Sequence, residues 1–234
     1  MHGQGSKASQ EHFAKAIELC PDLAYAHFEM AVPYAKRGLM HEWIKKIDRA
    51  VALEPEMYLE QRGWYHWFFM HNYEKAIADI DSLDAMLDRD IGETGASFYH
   101  LNIMKGLCYK GLGQTQKAID IMKECITSQD YYRGYYDDLH LGVLYMELGQ
   151  QEEALANFKK QNSYNNVADA HYYIAKVKLA QNKPEEAKAS LETALQKYDE
   201  GLNVHNPYRQ LPDQIYRIDI TDLMDSLGME YEKL

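Results

Sequence analysis

A chain of 234 residues with 46% hydrophobic and 26% charged side chains suits one or two ordinary domains or one repeat array, and is too apolar to remain unfolded. Lys and Arg number 25 against 36 Asp and Glu, and the resulting charge of -11 is opposite in sign to a surface that selects a nucleic-acid backbone. No run approaches the ~18 apolar residues of a membrane span, and the opening MHGQGSKASQ has no apolar signal core.

Residues 1–8 are expected to be disordered. From 9 to 201 the apolar residues recur at i, i+3, i+4 and i+7, the spacing of amphipathic helices, and no segment alternates as a strand does. The helix at about 7–20 looks like the second member of a pair whose first member is missing. Either this helix is itself an N-terminal cap or, as expected, the chain is cut from a longer protein, and the compartment reads as cytoplasmic, with a truncated exported or anchored protein as the alternative. Its FAKAIELCP (13–21) overlays IDRAVALEP (47–55), and MHNYEKAIADI (70–80) supplies a further helix start. GLCYKGLGQTQKAI from Gly106 overlays GVLYMELGQQEEAL from Gly142, and AKVKLAQNKPEEAK from Ala175 continues the series. Gly38, Gly113 and Gly149 are placed to stop helices and Pro184 to start one. Gly106, Gly142, Ala118 and Ala154 allow paired helices to approach closely.

Two places interrupt the period. Between Ala76 and Ala118 about eight residues exceed the repeat, and DRDIGETG (88–95) reads as a solvated insertion loop. After Gly201, LNVHNPYRQLPDQ (202–214) holds two prolines and no helical period. A last helix is expected from about Pro212 to Tyr231, with Ile215, Ile218, Leu223 and Leu227 apolar. Residues 202–234 thus form a loop and a helix that caps the array.

These residues resemble the tetratricopeptide repeat family, whose unit is two antiparallel helices in about 34 residues. One unit supplies Ala31, Tyr34, Gly38, Ile47, Ala50 and Pro55, with Trp43 where the first alanine of the second helix belongs. The next is the weakest, with Trp64 at the small position and Trp67 three on, but keeps Tyr73, Ala76 and Ile80. The next supplies Gly106, Tyr109, Gly113, Ala118 and Met122. Gly142, Tyr145, Gly149, Ala154 and Phe158 follow, with Gln161 departing, and the last has Ala175, Ala187, Leu191 and Ala194, with Asn182 replacing the glycine. The resemblance covers roughly residues 9–200 and implies an all-α fold, a right-handed α-solenoid of about five to six such units. It also implies that an extended peptide or partner helix binds in the concave groove lined by the first helices.

The groove candidates are Tyr25, Phe28, Tyr58, Arg62, Tyr65, Phe69, His100, Tyr136, His140, Tyr172 and Lys176, with Asp169 and Tyr173 beside them. Tyrosine numbers 19 against 6 phenylalanines, which suits half-exposed contact surfaces because tyrosine desolvates a large area at low rotamer cost. Tyr34, Tyr109 and Tyr145 read instead as packing between units. The run WYHWFFMH (64–71) reads as a helix buried on both sides, or as a groove hot spot with Arg62 stacked beside Tyr65. Tyr131, Tyr132, Tyr135 and Tyr136 read as a helix entry packing on its neighbours, with groove contact for Tyr136 only. The positions of a carboxylate clamp for chaperone tails hold Phe28, Val32, Ile103 and Leu107, so that sub-type is not expected.

Cys20, Cys108 and Cys125 are scattered, form no CxxC and read as small buried hydrophobes. The histidines form no metal-ligand spacing, and His66 and His71 diverge on a helix. No phosphate or dinucleotide loop and no nucleophile elbow is present. Asp137 and Asp138, or Glu152 and Glu153, point about 100° apart on a helix and cannot face one sugar. No cofactor and no catalysis are expected. The reading is a protein- or peptide-binding scaffold, with a structural or self-associating module, and more remotely a helical-hairpin carbohydrate enzyme, as alternatives.

Overall fold

The computed structural model describes residues 3–93, 95, 99–128, 131–206 and 209–232. Among them are twelve α-helices and one isolated bridge, Glu93 to His100. The chain divides into two compact units, residues 1–112 and 113–234, so the division falls inside the stretch whose repeats run on without a break in sequence.

The first unit holds α1 (Lys7–Leu19), α2 (Ala24–Lys36), α3 (Met40–Leu53), α4 (Pro55–Phe68), α5 (Tyr73–Asp84) and α6 (Leu101–Gly111). Here α2 pairs with α3 and α4 with α5, while α1 packs on α2, α3 on α4 and α5 on α6. The second unit holds α7 (Thr115–Thr127), α8 (Asp137–Glu147), α9 (Gln151–Tyr164), α10 (Ala168–Ala180), α11 (Pro184–Asp199) and α12 (Arg217–Ser226). There α8 pairs with α9 and α10 with α11, α7 packs on α8, α9 on α10, and α12 on α11. Short turns make consecutive helices antiparallel. The fold is the expected all-α array of tandem helix pairs.

The pairing rests on small residues at the crossings. Ala76, Ala118, Ala154 and Ala187 are all fully buried. A Cβ added to Gly142 would overlap the ring of Phe158, itself fully buried. Trp43, standing where alanine was expected, is also fully buried, against Tyr65 at 5.1 Å and His66 at 5.5 Å between ring centroids. Filling such sites stabilises the array by roughly 1.5–3 kcal/mol per large apolar side chain.

The weakest repeat is off by one residue from its sequence alignment. Gly63, not Trp64, makes the close approach, since a Cβ there would lie 3.2 Å from Asp79 Cβ and 3.5 Å from the Ala76 carbonyl oxygen. The extra residue is taken up at the helix end. Leu39 donates to the Tyr34 carbonyl, Gln150 to Tyr145 and Lys183 to Lys178, whereas Asn72 reaches back one residue further, to His66. His71 accordingly takes a left-handed φ of 50° and α4 stops at Phe68, so the aromatic run does not continue as helix to His71.

Helix stops follow the chemistry of the turn. Gly38 and Gly149 both have φ of 73°, and Asn182, the replacement for glycine, has φ of 57°. Asparagine tolerates this region because its short side chain bonds locally. The last helix is shorter than the expected Pro212 to Tyr231. Asp213 at φ 60° cannot belong to a right-handed helix and Gly228 at φ 65° ends it, leaving Arg217–Ser226. Ile218, expected on its apolar face, is exposed, while Ile215, Ile220 and Met224 join Ala175, Leu191 and Ala194 in one cluster.

Met1 and His2 of the segment expected to be disordered lie outside the described residues. In the remainder, Gln4 donates to Glu29 at 3.1 Å, Arg37 donates to the Gly5 carbonyl at 2.9 Å, and Ser6 caps α1 by accepting from Ser9 N–H. Thr94 of the insertion loop is also outside them. Asp88, Arg89 and Asp90 are exposed, but Ile91 is buried and Gly95 N–H donates to Glu60 at 2.6 Å, so the loop is tied down at two points. Cys108 and Cys125 are buried, whereas Cys20, expected buried, is exposed because it sits just past the end of α1 with no helix over it.

Candidate functional site

In the first unit the candidates separate into an exposed set and a buried set. Tyr25 is 53% exposed and meets Phe13 edge-on at 6.0 Å. Phe28 is half-buried, with its ring 5.1 Å from Tyr58, which is only 5% exposed. Beside Tyr58 opens a cleft of about 520 Å³ lined by Glu54, Glu56, Met57, Glu60, Leu87 and Arg89. Burial pushes the Glu60 carboxyl above its usual range, against the pull of the Gly95 N–H.

Tyr65 and His100 are buried. Tyr65 is buried between Trp43 and the half-buried Phe69, whose ring lies 5.4 Å away. Desolvation and the Glu29 charge push its hydroxyl up to about 12. His100 is buried at the start of α6, where Nδ1 accepts from Asn102 N–H at 3.1 Å and Nε2 lies 2.8 Å from Asp90. The helix cap engages Nδ1 and the Asp90 carboxylate engages Nε2.

Arg62 does not stack on Tyr65. Its Nε and Nη2 donate to the two carboxylate oxygens of Asp79 at 3.0 and 2.6 Å, and Nη1 donates to Asp48 at 2.7 Å. The paired carboxylates hold the guanidinium charged. The bridge links α4 to α3 and α5. Sequence pattern offered no sign of it, because Asp79 sits inside a run whose spacing marks only an amphipathic helix.

In the second unit the entry to α8 is a buried polar network. Asp137 and Asp138 are fully buried. Asp137 accepts from Tyr131 and from Gly134 N–H, the latter at 2.6 Å, and Asp138 pairs with Arg133 and with Lys160 at 2.9 Å. Both carboxylates also complement the positive end of α8. Tyr132 and Tyr135, expected to pack, are instead 81% and 58% exposed, because the turn points them away from this network. Gln161, the departure from alanine, is a hub. It accepts from Leu139 N–H and Tyr164 and donates to the carbonyls of Tyr135 and Asn165.

The first-helix face of this unit is covered by the chain itself. Asp169, fully buried near the start of α10, accepts from Val204 N–H with one oxygen and from Ile215 N–H with the other, both at 2.8 Å. His140, fully buried on α8, places Nδ1 2.7 Å from Asp213 Oδ2, and Tyr173 donates to the Asp213 carbonyl at 3.2 Å. His140 is thus covered, with Asp213 over it, and Tyr173 is half-buried beside the same residue. Tyr136 and Tyr172 are half-buried, and Lys176 remains exposed with Nζ 5.7 Å from the Tyr172 ring.

Burial pushes the Asp169 carboxyl up to about 6 from its ordinary 3.8. A carboxyl raised in this way contributes its stability below its unfolded value and loses it as pH rises through the folded one. Between pH 4 and 7 the second unit is expected to lose about 3 kcal/mol from this group. Urea unfolding of the wild type should show this steeper fall, and the slope difference should vanish in Asp169→Asn. Parallel pH profiles for the two proteins would refute it.

Residues 99–131 and 139–166 match the tetratricopeptide repeat, and 169–200 match a second form of it. No curated protein sequence matches the chain. Among solved structures, PilW, a widely conserved type IV pilus biogenesis factor, is similar at 18% identity and a TM-score of 0.66, over 92% of this chain and 88% of that one. YrrB, a tetratricopeptide repeat protein with an unusual peptide-binding site, is similar at 19% identity and 0.59, over 82% and 96%. MamA from Desulfovibrio magneticus is similar at 13% and 0.62, over 76% and 96%. At these identities the likeness is one of fold. Among the described residues, no helix is long and apolar enough to cross a membrane. The helix pairs, the small residues at their crossings, the glycine or asparagine stops and the matched segments together mark residues 99–131, 139–166 and 169–200 as tetratricopeptide repeats, and the solved structures extend the likeness of fold over most of the chain.

Proposed function

We propose that the chain is a non-catalytic scaffold that captures an extended protein segment on the first-helix face of its first unit, and that the segment carries basic side chains. The observation that carries this is the exposed Tyr25 and the half-buried Phe28, whose ring rests on the buried Tyr58, together with the cleft where Glu54, Glu56 and Glu60 outnumber the cation Arg89. Aromatics give desolvated area at low entropy cost, and carboxylates beside them favour a cation. The exposed Met57 adds an adaptable apolar contact. The likeness in fold to YrrB, a protein with a peptide-binding site, supports the mode of action.

A peptide array scored for Lys and Arg content tests the reading, with wild type beside Tyr25→Ala/Met57→Ala and beside Glu56→Lys. Both changes lie on exposed side chains, so melting temperatures should stay matched. Binding of basic peptides is expected to fall at least about tenfold in each variant. Undiminished binding by the folded variants would move the contact elsewhere.

A further inference from the structure

Residues 202–206 and 209–216 lie on the α8–α10 face of the second unit and bond to it through Val204, Asp213 and Ile215. We propose that this face binds an extended, aspartate-bearing segment, and that the chain's own residues 202–206 and 209–216 occupy it as a resident ligand that such a segment must displace. The proposal goes beyond the reading above, which concerns the first unit, and the two fail independently.

The contacts define the ligand. Both oxygens of Asp169 are committed to backbone N–H groups, those of Val204 and Ile215, so this carboxylate reads main chain that any extended segment offers. The carbonyl of Leu202 accepts from Ala168 N–H at 2.8 Å. His140 reads a side-chain carboxylate, that of Asp213, and the Tyr173 hydroxyl reads the carbonyl of the same residue. Val204 and Ile215 are buried to within 3% of completely and Leu211 to within 8%, so aliphatic side chains anchor the segment on either side of the aspartate. The recognised pattern is an aliphatic residue, an aspartate two residues before a second aliphatic residue, and free main-chain donors.

Asp213, which makes the contacts to both His140 and Tyr173, sits at φ 60°, a left-handed conformation that aspartate, like asparagine, tolerates through local side-chain bonding. Leu202 and Tyr216, at the two ends, are 45% and 42% exposed, so little is buried where the segment joins the helices.

The experiment uses the full chain and a fluorescent synthetic peptide with the sequence of residues 202–216. The tethered segment competes at an effective concentration on the order of millimolar, so the wild type should bind the free peptide weakly. Asp213→Asn in the protein removes the charge facing His140 from the resident segment alone. It is expected to raise peptide affinity on the order of tenfold and to speed amide exchange at Val204 and Ile215. Adding Asp169→Asn should abolish the gain. Should that double variant fail to fold, the peptide itself carries the control: a peptide with Asp213→Asn should lose the gain on the singly substituted protein. Peptide affinity unchanged by Asp213→Asn in the protein, or indifferent to the aspartate in the peptide, overturns the proposal.

Discussion

Arg62→Ala is expected to destabilise the first unit by about 3–5 kcal/mol, the range for breaking a buried ion pair from one side. The loss is not the attraction itself but the state it leaves behind. Asp79 is 5% exposed and packed against Gly63, and without the guanidinium its charge has neither water nor a partner. Asp48, the other partner, has a side chain 51% exposed, so Asp48→Ala should cost no more than about 1 kcal/mol. The double change Arg62→Leu/Asp79→Leu should return most of the loss, because apolar residues of similar volume replace a buried pair at little net cost. Urea unfolding of the four proteins decides the matter. A cost for Arg62→Ala as small as that for Asp48→Ala would mean that the bridge is solvated in solution.

Phe158→Ala carries the second large effect, an expected loss of about 3–5 kcal/mol in the second unit. Phe158 is fully buried, lies over Gly142 and stacks on Tyr173 at 5.7 Å. Removing the ring leaves a cavity between α8, α9 and α10 that a rigid helix pair closes poorly. Gly142→Ala should cost about 1–3 kcal/mol by overpacking the same space. The two changes share one volume, so Gly142→Ala/Phe158→Leu should cost less than the sum of its single variants. Strict additivity in that cycle would show that the ring and the glycine do not meet.

The architecture was legible because its signals are local. Helix period, glycine stops and alanine at the crossings are each readable within one repeat, and the structure carries them where the spacing put them. The off-by-one at Gly63 escaped because the extra residue sits in the turn at His71, where alignment by helix pattern has no footing. Trp64 occupies the aligned position, but the geometry of close approach is decided by what α5 places opposite.

The candidate site was legible only in part. Tyr25, Phe28 and Lys176 retain exposed or half-exposed surface, whereas Tyr65, His100 and His140 are buried. First-helix positions alternate between facing solvent and facing the next helix within a single turn, and periodicity cannot separate the two where both neighbours are aromatic. Arg62 could not be assigned without knowing that Asp79 and Asp48 come from the helices on either side of it.

What the amino-acid sequence determined alone is the repeat and the all-α class, since each depends on propensities and spacings within about 34 residues. Only tertiary structure decided which candidates are open. Val204, Asp213 and Ile215 reach Asp169 and His140 from a segment with no period of its own. Contacts of that kind join residues distant in the chain through backbone groups, and backbone groups leave no mark in the sequence.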